Sequence, residues 1–326
     1  MPMKTLPPHD QLTICFAHAA YRMQERFILR NTGLRSLEVR THDELKARIG
    51  EIDVLVVSGL WRNELIAAAP KLAFIQSISA GVDQYSQEQL RAAGIRMASA
   101  QGANRNAVSE HAMALILSLA RKLAEARDNQ HKHFWRGMIS DIPNREDELG
   151  GKTLVIVGMG RIGSRLAKLA RAFDMKVIGI KRDVSSGSGD AEKVVSTDAL
   201  LQILPTADYV ALTCPLTPQT QNIIDAKSLS AMKPSAFLVN VARGKVVDEP
   251  ALLEALKTKA IAGAAIDCAW EEPLPESSPL WTCPNLVITP HSAGETQCYE
   301  DNIIDLLLEN LKVLAKGGTE VRNGVV

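Results

Sequence analysis

Residues 153–173 read TLVIVGMGRIGSRLAKLARAF. An aliphatic, β-branched run is followed by glycines at 158, 160 and 163 and then by a helical pattern, so the segment is a strand, a tight turn and a helix. Each glycine has a separate reason to be there. Gly158 suits the turn, Gly160 lets backbone come close to a pyrophosphate, and Gly163 lets the helix pack on the strand. A further β run, Lys176–Ile180, follows the helix and completes a β-α-β unit. The turn, with Met159, Arg161 and Ile162, is therefore the expected dinucleotide cradle, its phosphates facing the N–H groups at a helix N-terminus.

The end of that second strand chooses between two dinucleotides. An acid there accepts hydrogen bonds from the adenosine ribose of NAD, whereas basic residues accommodate the 2′-phosphate of NADP. Here the strand runs into Lys181 and Arg182, with Asp183 next. Two cations suit a phosphate and a carboxylate repels it, so NADP is the expected cofactor. NAD is the alternative, in which the loop turns Asp183 back to the ribose. Ser185 and Ser186 are further candidate phosphate contacts.

Outward from this unit, short β-rich runs alternate with helical patterns along the whole chain, the mark of parallel sheets covered by helices. The first series, LTICFAH, LEVRT, DVLVVSG, LAFIQSIS and IRMAS, ends near residue 100, with helical stretches at 63–69 and 87–93. The pattern then predicts one long helix over 106–130, followed by a polar, irregular arm, HKHFWRGMISDIPNREDELGGK. The second series starts at the glycine turn and supplies six or seven strands. The closing helical run, NIIDLLLENLKVLAKG, is assigned to the first domain. The expectation is an α/β fold of two doubly wound parallel-sheet domains: a smaller, discontinuous substrate domain of residues 1–103 and 295–326, and a Rossmann-type dinucleotide-binding domain of residues 104–294.

Composition narrows the partners. The 326 residues carry 37 Lys+Arg against 37 Asp+Glu, so no whole-chain field favours nucleic acid or an anionic membrane. Neither a signal sequence nor an apolar run of membrane-spanning length is visible, and the five cysteines are scattered without disulfide or metal rhythm. A cytoplasmic protein with reduced thiols is expected, and no metal. His131 and His133 lack a matching ligand cluster.

Three segments at later strand ends carry candidate chemistry: VNVARGKVVDEPAL with Arg243, AGAAIDCAWEEPLP with Glu271 and Glu272, and VITPHSAGET with His291. Together with ISAGVDQY, the glycine turn and CPLTPQTQNIID, they make the chain resemble the D-isomer-specific 2-hydroxyacid dehydrogenase family over nearly its whole length. The resemblance implies a nicotinamide-dependent oxidoreductase with a flavodoxin-like substrate domain, acting as a homodimer. It makes His291 the acid/base, a role suited to imidazole near neutrality. It makes Glu272, before Pro273, the carboxylate that orients the imidazole, with Glu271 as the substitute. Arg243 becomes the fork for the substrate carboxylate. The backbone of Ala80, Gly81 and Val82 is implied to add to substrate binding. Asp267 is implied to orient the nicotinamide carboxamide, and Cys214, Pro215, Thr220, Val241, Ala242 and Gly294 complete the cofactor set.

Taken singly, His291 could be a satisfied histidine after a strand, Arg243 an ion-pair partner, and the two glutamates a solvated loop. As an ordered set in the context of that resemblance they imply an oxidoreductase interconverting a small 2-oxo acid and a D-2-hydroxy acid, with glyoxylate or hydroxypyruvate the expected substrate. Alternatives are an NAD-linked dehydrogenase of another 2-hydroxy acid such as 3-phosphoglycerate, or a dinucleotide-sensing, corepressor-like binding protein. Departures from the family pattern are Lys181 for the common acid, Cys214 for a frequent histidine and Ser109 for a usual alanine.

Overall fold

The computed structural model describes residues 2–185, residue 187, residues 189–283 and residues 285–326. The chain divides into two compact units, Met1–Asn104 with Glu295–Val326, and Arg105–Gly294.

In the first unit the strands are β1 (Thr13–Ala17), β2 (Arg35–Val39), β3 (Val54–Val57), β4 (Phe74–Ser77) and β5 (Arg96–Ala98). Among the described residues they form one parallel sheet in the order β2-β1-β3-β4-β5. The central strand β3 reads VLVV and is buried throughout, as a parallel strand covered on both faces requires. Helices α1 (Met23–Ile28), α2 (His42–Arg48) and α3 (Gln87–Ala92) separate the strands. Thr41 caps α2 by accepting from the Glu44 N–H, and Ser86 caps α3 through the Gln89 N–H. The expected helix at 63–69 is a 3₁₀ helix, Asn63–Ala68. Asn63 accounts for its tight start: its side-chain oxygen is held by the Trp61 indole N–H and the Ser86 N–H.

The second unit opens with α4 (Arg105–Ala120) and α5 (Leu123–His131) where the periodicity predicts a single helix. Lys122 lies in the left-handed region, with φ 49°, and its Nζ donates to the Asn144 carbonyl at 2.6 Å. The physical reason for the break is burial: α4 sinks Val108, Ala112, Leu115 and Ile116 into the core, whereas α5 has no buried residue.

The strands of this unit are β6 (Thr153–Val157), β7 (Lys176–Ile180), β8 (Lys193–Val195), β9 (Tyr209–Leu212), β10 (Phe237–Asn240), β11 (Gly263–Ile266) and β12 (Leu286–Ile288). Helix α6 (Arg161–Ala172) joins β6 to β7, and α7 (Leu200–Ile203), α8 (Ala226–Ala231) and α9 (Glu249–Lys257) follow in turn. All described pairings are parallel, in the order β12-β11-β10-β9-β6-β7-β8. Strand β8 has no counterpart in the strands read from sequence: it is a three-residue edge strand after a Ser/Gly loop.

The last helix, α10 (Tyr299–Ala315), packs Ile303, Ile304 and Leu307 into the core that holds β1 and β3. No helix among the described residues is long and apolar enough to cross a membrane.

Candidate active site

In the second sheet, β7 and β8 lie on one side of β6 and β9 to β12 on the other. Open parallel sheets bind ligands outside the carboxyl ends of their strands at such a switch point, and the glycine turn stands there. Gly158 has φ +108°, and a Cβ on it would lie 2.5 Å from the backbone nitrogen of Cys214. Its N–H donates to the Ile180 carbonyl at 2.8 Å, and its carbonyl accepts from the Thr213 hydroxyl at 2.7 Å. The turn is thus locked to β7 and to the end of β9. A Cβ on Gly163 would stand 2.2 Å from the Gly158 carbonyl oxygen, so the helix leaves the turn at the closest possible packing.

Gly160 differs, because a Cβ there meets nothing within 4 Å. It caps α6, whose first turn presents backbone N–H groups that lack intrahelical acceptors. Open space against such donors is what a pyrophosphate needs, so these residues fit a dinucleotide. Met159 turns elsewhere, its Cγ 2.4 Å from the position of a Cβ on Gly179 of β7. Arg161 and Ile162 form the first turn of α6, the arginine exposed and the isoleucine packed on the core.

At the end of β7, Lys181 donates its N–H to Val195 and its Nζ to the Gly187 carbonyl at 2.8 Å, while Arg182 is exposed. Asp183 Oδ1 accepts from both the N–H and the hydroxyl of Ser185, at 2.9 and 2.7 Å. Those bonds hold its carboxyl below the usual range. Ser186 lies outside the described residues. After β9, Cys214 is buried, which pushes its thiol up to about 11. The Thr220 hydroxyl donates to the Pro215 carbonyl at 2.6 Å and closes that loop on itself.

Buried Asn240, the last residue of β10, shapes the next segment. Its side-chain oxygen accepts from the Ala242 N–H and its amide donates to the Arg243 carbonyl, both at 3.0 Å. Val241 and Ala242 are buried, and the Arg243 guanidinium donates to the Ala242 carbonyl at 2.8 Å. A Cβ on Gly244 would fall 2.0 Å from the carbonyl carbon of Ala269. Only glycine permits that approach, which holds the Arg243 loop against the loop after β11.

That neighbouring loop carries Glu272. Its Oε1 accepts from the Ala269 N–H at 3.0 Å, and its Oε2 accepts from His291 Nδ1 at 2.7 Å. Of the two adjacent acids, Glu272 is the one brought to the histidine. His291 follows β12 in the left-handed region, with φ 53°. The pair is open to small molecules, the histidine and glutamate side chains being 43% and 38% exposed.

The Glu272 hydrogen bond raises the His291 pKa above its ordinary value, against burial and the Arg243 charge, which lower it. Burial pushes Glu272 upward, but the His291 bond and charge and the Ala269 N–H outweigh it and leave the carboxyl lowered. A carboxylate on Nδ1 leaves Nε2 as the nitrogen that exchanges a proton with a bound molecule.

Asp267 is 2% exposed. Oδ1 accepts from the Thr289 hydroxyl at 2.6 Å and the Ser292 N–H at 3.0 Å, and Oδ2 from the Ala293 N–H at 3.0 Å. His111 Nε2 lies 3.0 Å from the same hydroxyl. Gly294 ends this loop and the second unit. His111, Thr289 and Asn240 are absent from the sequence-derived set, although Thr289 lies in the TPH triplet and Asn240 in the VNVARG motif. In the first unit, Ala80, Gly81 and Val82 follow β4 as a half-buried loop closed by the Tyr85 N–H on the Val82 carbonyl, at 3.1 Å.

Residues 113–293 match the family model described as D-isomer specific 2-hydroxyacid dehydrogenase, NAD binding domain. The chain is 35% identical over 280 residues to a D-3-phosphoglycerate dehydrogenase of Methanocaldococcus jannaschii, covering 85% of this chain and 52% of that protein. It thus spans about half the length of that relative. A glyoxylate reductase of Thermococcus litoralis is 34% identical over 289 residues, 84% of this chain and 83% of the other. Among solved structures, the NADPH-dependent glyoxylate/hydroxypyruvate reductase of Sinorhizobium meliloti in complex with NADP and malonate is similar. It is 26% identical with a TM-score of 0.81, covering 97% of each chain.

Proposed function

The chain belongs to the D-isomer-specific 2-hydroxyacid dehydrogenases, and from that premise we propose that it reduces a small 2-oxo acid, glyoxylate or hydroxypyruvate, with NADPH preferred to NADH. The observation that carries the chemistry is the His291–Glu272 pair, 2.7 Å apart and open to small molecules, in a unit whose glycine turn fits a dinucleotide.

The nicotinamide, when bound, supplies the hydride that reaches the carbonyl carbon. His291 gives the carbonyl oxygen its proton from Nε2, and in the reverse direction takes it back. Glu272 fixes the tautomer and favours the imidazolium, the form that donates the proton. Arg243 binds the substrate carboxylate through its planar fork and polarises the carbonyl as negative charge develops. Asn240, by clamping the backbone on both sides of this arginine, fixes where the fork starts. Ala80, Gly81 and Val82 are proposed to contribute to substrate binding, a role read in KM rather than in kcat.

The NADP preference is supported by Lys181 and Arg182 at the end of β7, together with the engagement of the Asp183 carboxylate by Ser185. Buried free thiols at Cys15, Cys214 and Cys268 support a reducing, cytoplasmic setting. A homodimer is supported by an exposed apolar arm after α5.

The deciding experiment measures initial rates of NADPH and NADH oxidation by the purified protein with glyoxylate, hydroxypyruvate, pyruvate and 3-phosphohydroxypyruvate. Faster turnover of NADPH with glyoxylate or hydroxypyruvate is expected. Preference for NADH with the phosphorylated substrate would replace this reading by the phosphoglycerate one, and cofactor binding without turnover would favour a dinucleotide sensor.

A further inference from the structure

We propose that Thr289 and His111 are positioning residues for His291, acting through the buried carboxylate of Asp267. The hydroxyl of Thr289 has a single proton, and at 2.6 Å from Asp267 Oδ1 it is spent on that carboxylate. The same oxygen therefore accepts from His111, which must carry its proton on Nε2, 3.0 Å away. His111 Nε2 is also 3.5 Å from Asp267 Oδ1.

The result is a continuous line from α4 through His111 and Thr289 to Asp267, ending on the N–H groups of Ser292 and Ala293. Those two residues directly follow His291. On the other side, the His291 N–H donates to the Thr289 carbonyl at 3.0 Å. His291 thus stands in a left-handed turn, uncommon for a residue with a Cβ, pinned before and after by groups tied to one buried carboxylate. A turn held this way sets the direction of the imidazole, and with it the Nδ1 contact to Glu272.

The proposal rests on His291 as the proton donor and is tested on the whole enzyme, with glyoxylate and the faster of NADPH and NADH. Thr289→Val keeps the shape and removes the hydroxyl. It is expected to lower kcat roughly tenfold to a hundredfold, as small misplacements of reacting groups do, with KM and cofactor affinity unchanged. Thr289→Ser restores the hydroxyl and should restore kcat. His111→Gln keeps a donor near Nε2 and should stay active, whereas His111→Phe should fall as Thr289→Val does. If Thr289→Val does not fold by circular dichroism, the His111 pair decides.

Wild-type kcat in folded Thr289→Val and His111→Phe, or a loss seen in cofactor affinity instead, overturns the proposal. So does an equal loss in the Ser and Gln variants, which would mark a general packing effect. His291→Ala separates the two levels: if it turns over like wild type, the reading of His291 itself fails. If turnover depends on His291 but not on Thr289 or His111, only the positioning role fails.

Discussion

A carboxylate bonded to one nitrogen of an imidazole changes how the other behaves. Because Glu272 raises the His291 pKa, the imidazolium persists to higher pH than in a free histidine. Reduction consumes that proton, so its rate should be flat at low pH and decline as pH rises through the raised value; oxidation needs the neutral base and should rise there. Glu272→Gln removes the hydrogen bond and charge that raise the His291 pKa, leaving burial and Arg243, which lower it, against the smaller raising influence of the Asp267 charge. Its reduction limb should then move to lower pH, seen in profiles of kcat/KM, and an unmoved limb would remove Glu272 from this role. His291→Ala should cut turnover by about a hundredfold or more while fluorescence titration finds cofactor affinity intact. The double change Lys181→Asp with Arg182→Ala should weaken NADPH far more than NADH, while equal losses would point to folding damage. His291, Glu272 and Arg243 can be named from the sequence because each sits in a strand-end motif that carries the family resemblance, and the structure adds the contact between His291 and Glu272. His111 and Thr289 cannot, since a hydrogen bond across 178 residues leaves no local pattern.

Elements carry the same lesson at larger size. Continuous apolar runs such as VLVV of β3 and the buried YVAL of β9 announce parallel strands, so the two-sheet α/β class was readable, and the glycine turn located the switch point. Strand β8 escaped because three residues at a sheet edge, none fully buried, give no periodicity to read. The division of α4 from α5 escaped because helix propensity continues where packing stops, and the left-handed Lys122 is stabilised by a bond to Asn144 that sequence does not display. The glycine turn itself makes the sharpest demand. Gly158→Ala must place a methyl group on the backbone of Cys214 at φ +108°. Since the atoms it meets, in Cys214 and Thr213, are backbone and not flexible side chain, the turn or the end of β9 has to move. Strain of this kind costs about 1–3 kcal/mol, so a lower urea midpoint and a loss of NAD(P)H affinity are expected together. An unchanged midpoint with unchanged affinity would mean that the turn is not held as described.

At the scale of the molecule, the arm after α5 exposes a run of large apolar side chains. Phe134, Trp135, Met138 and Ile142 are 59%, 96%, 104% and 72% exposed. Exposed apolar side chains this close along the chain suit an association surface. The balance of 37 cationic and 37 anionic residues means that two copies meet without net repulsion. The occupant we propose is a second copy of the chain, in a homodimer that would bury this arm. Trp135→Glu combined with Met138→Asp puts charges where a dry contact is required, and neither side chain is part of a core that the change could unfold. Sedimentation should find the wild-type protein at twice 35.4 kDa and the double variant at the single mass with an unchanged circular dichroism spectrum. A variant that remains dimeric would move the interface elsewhere, and a wild-type monomer would leave the arm to a different partner.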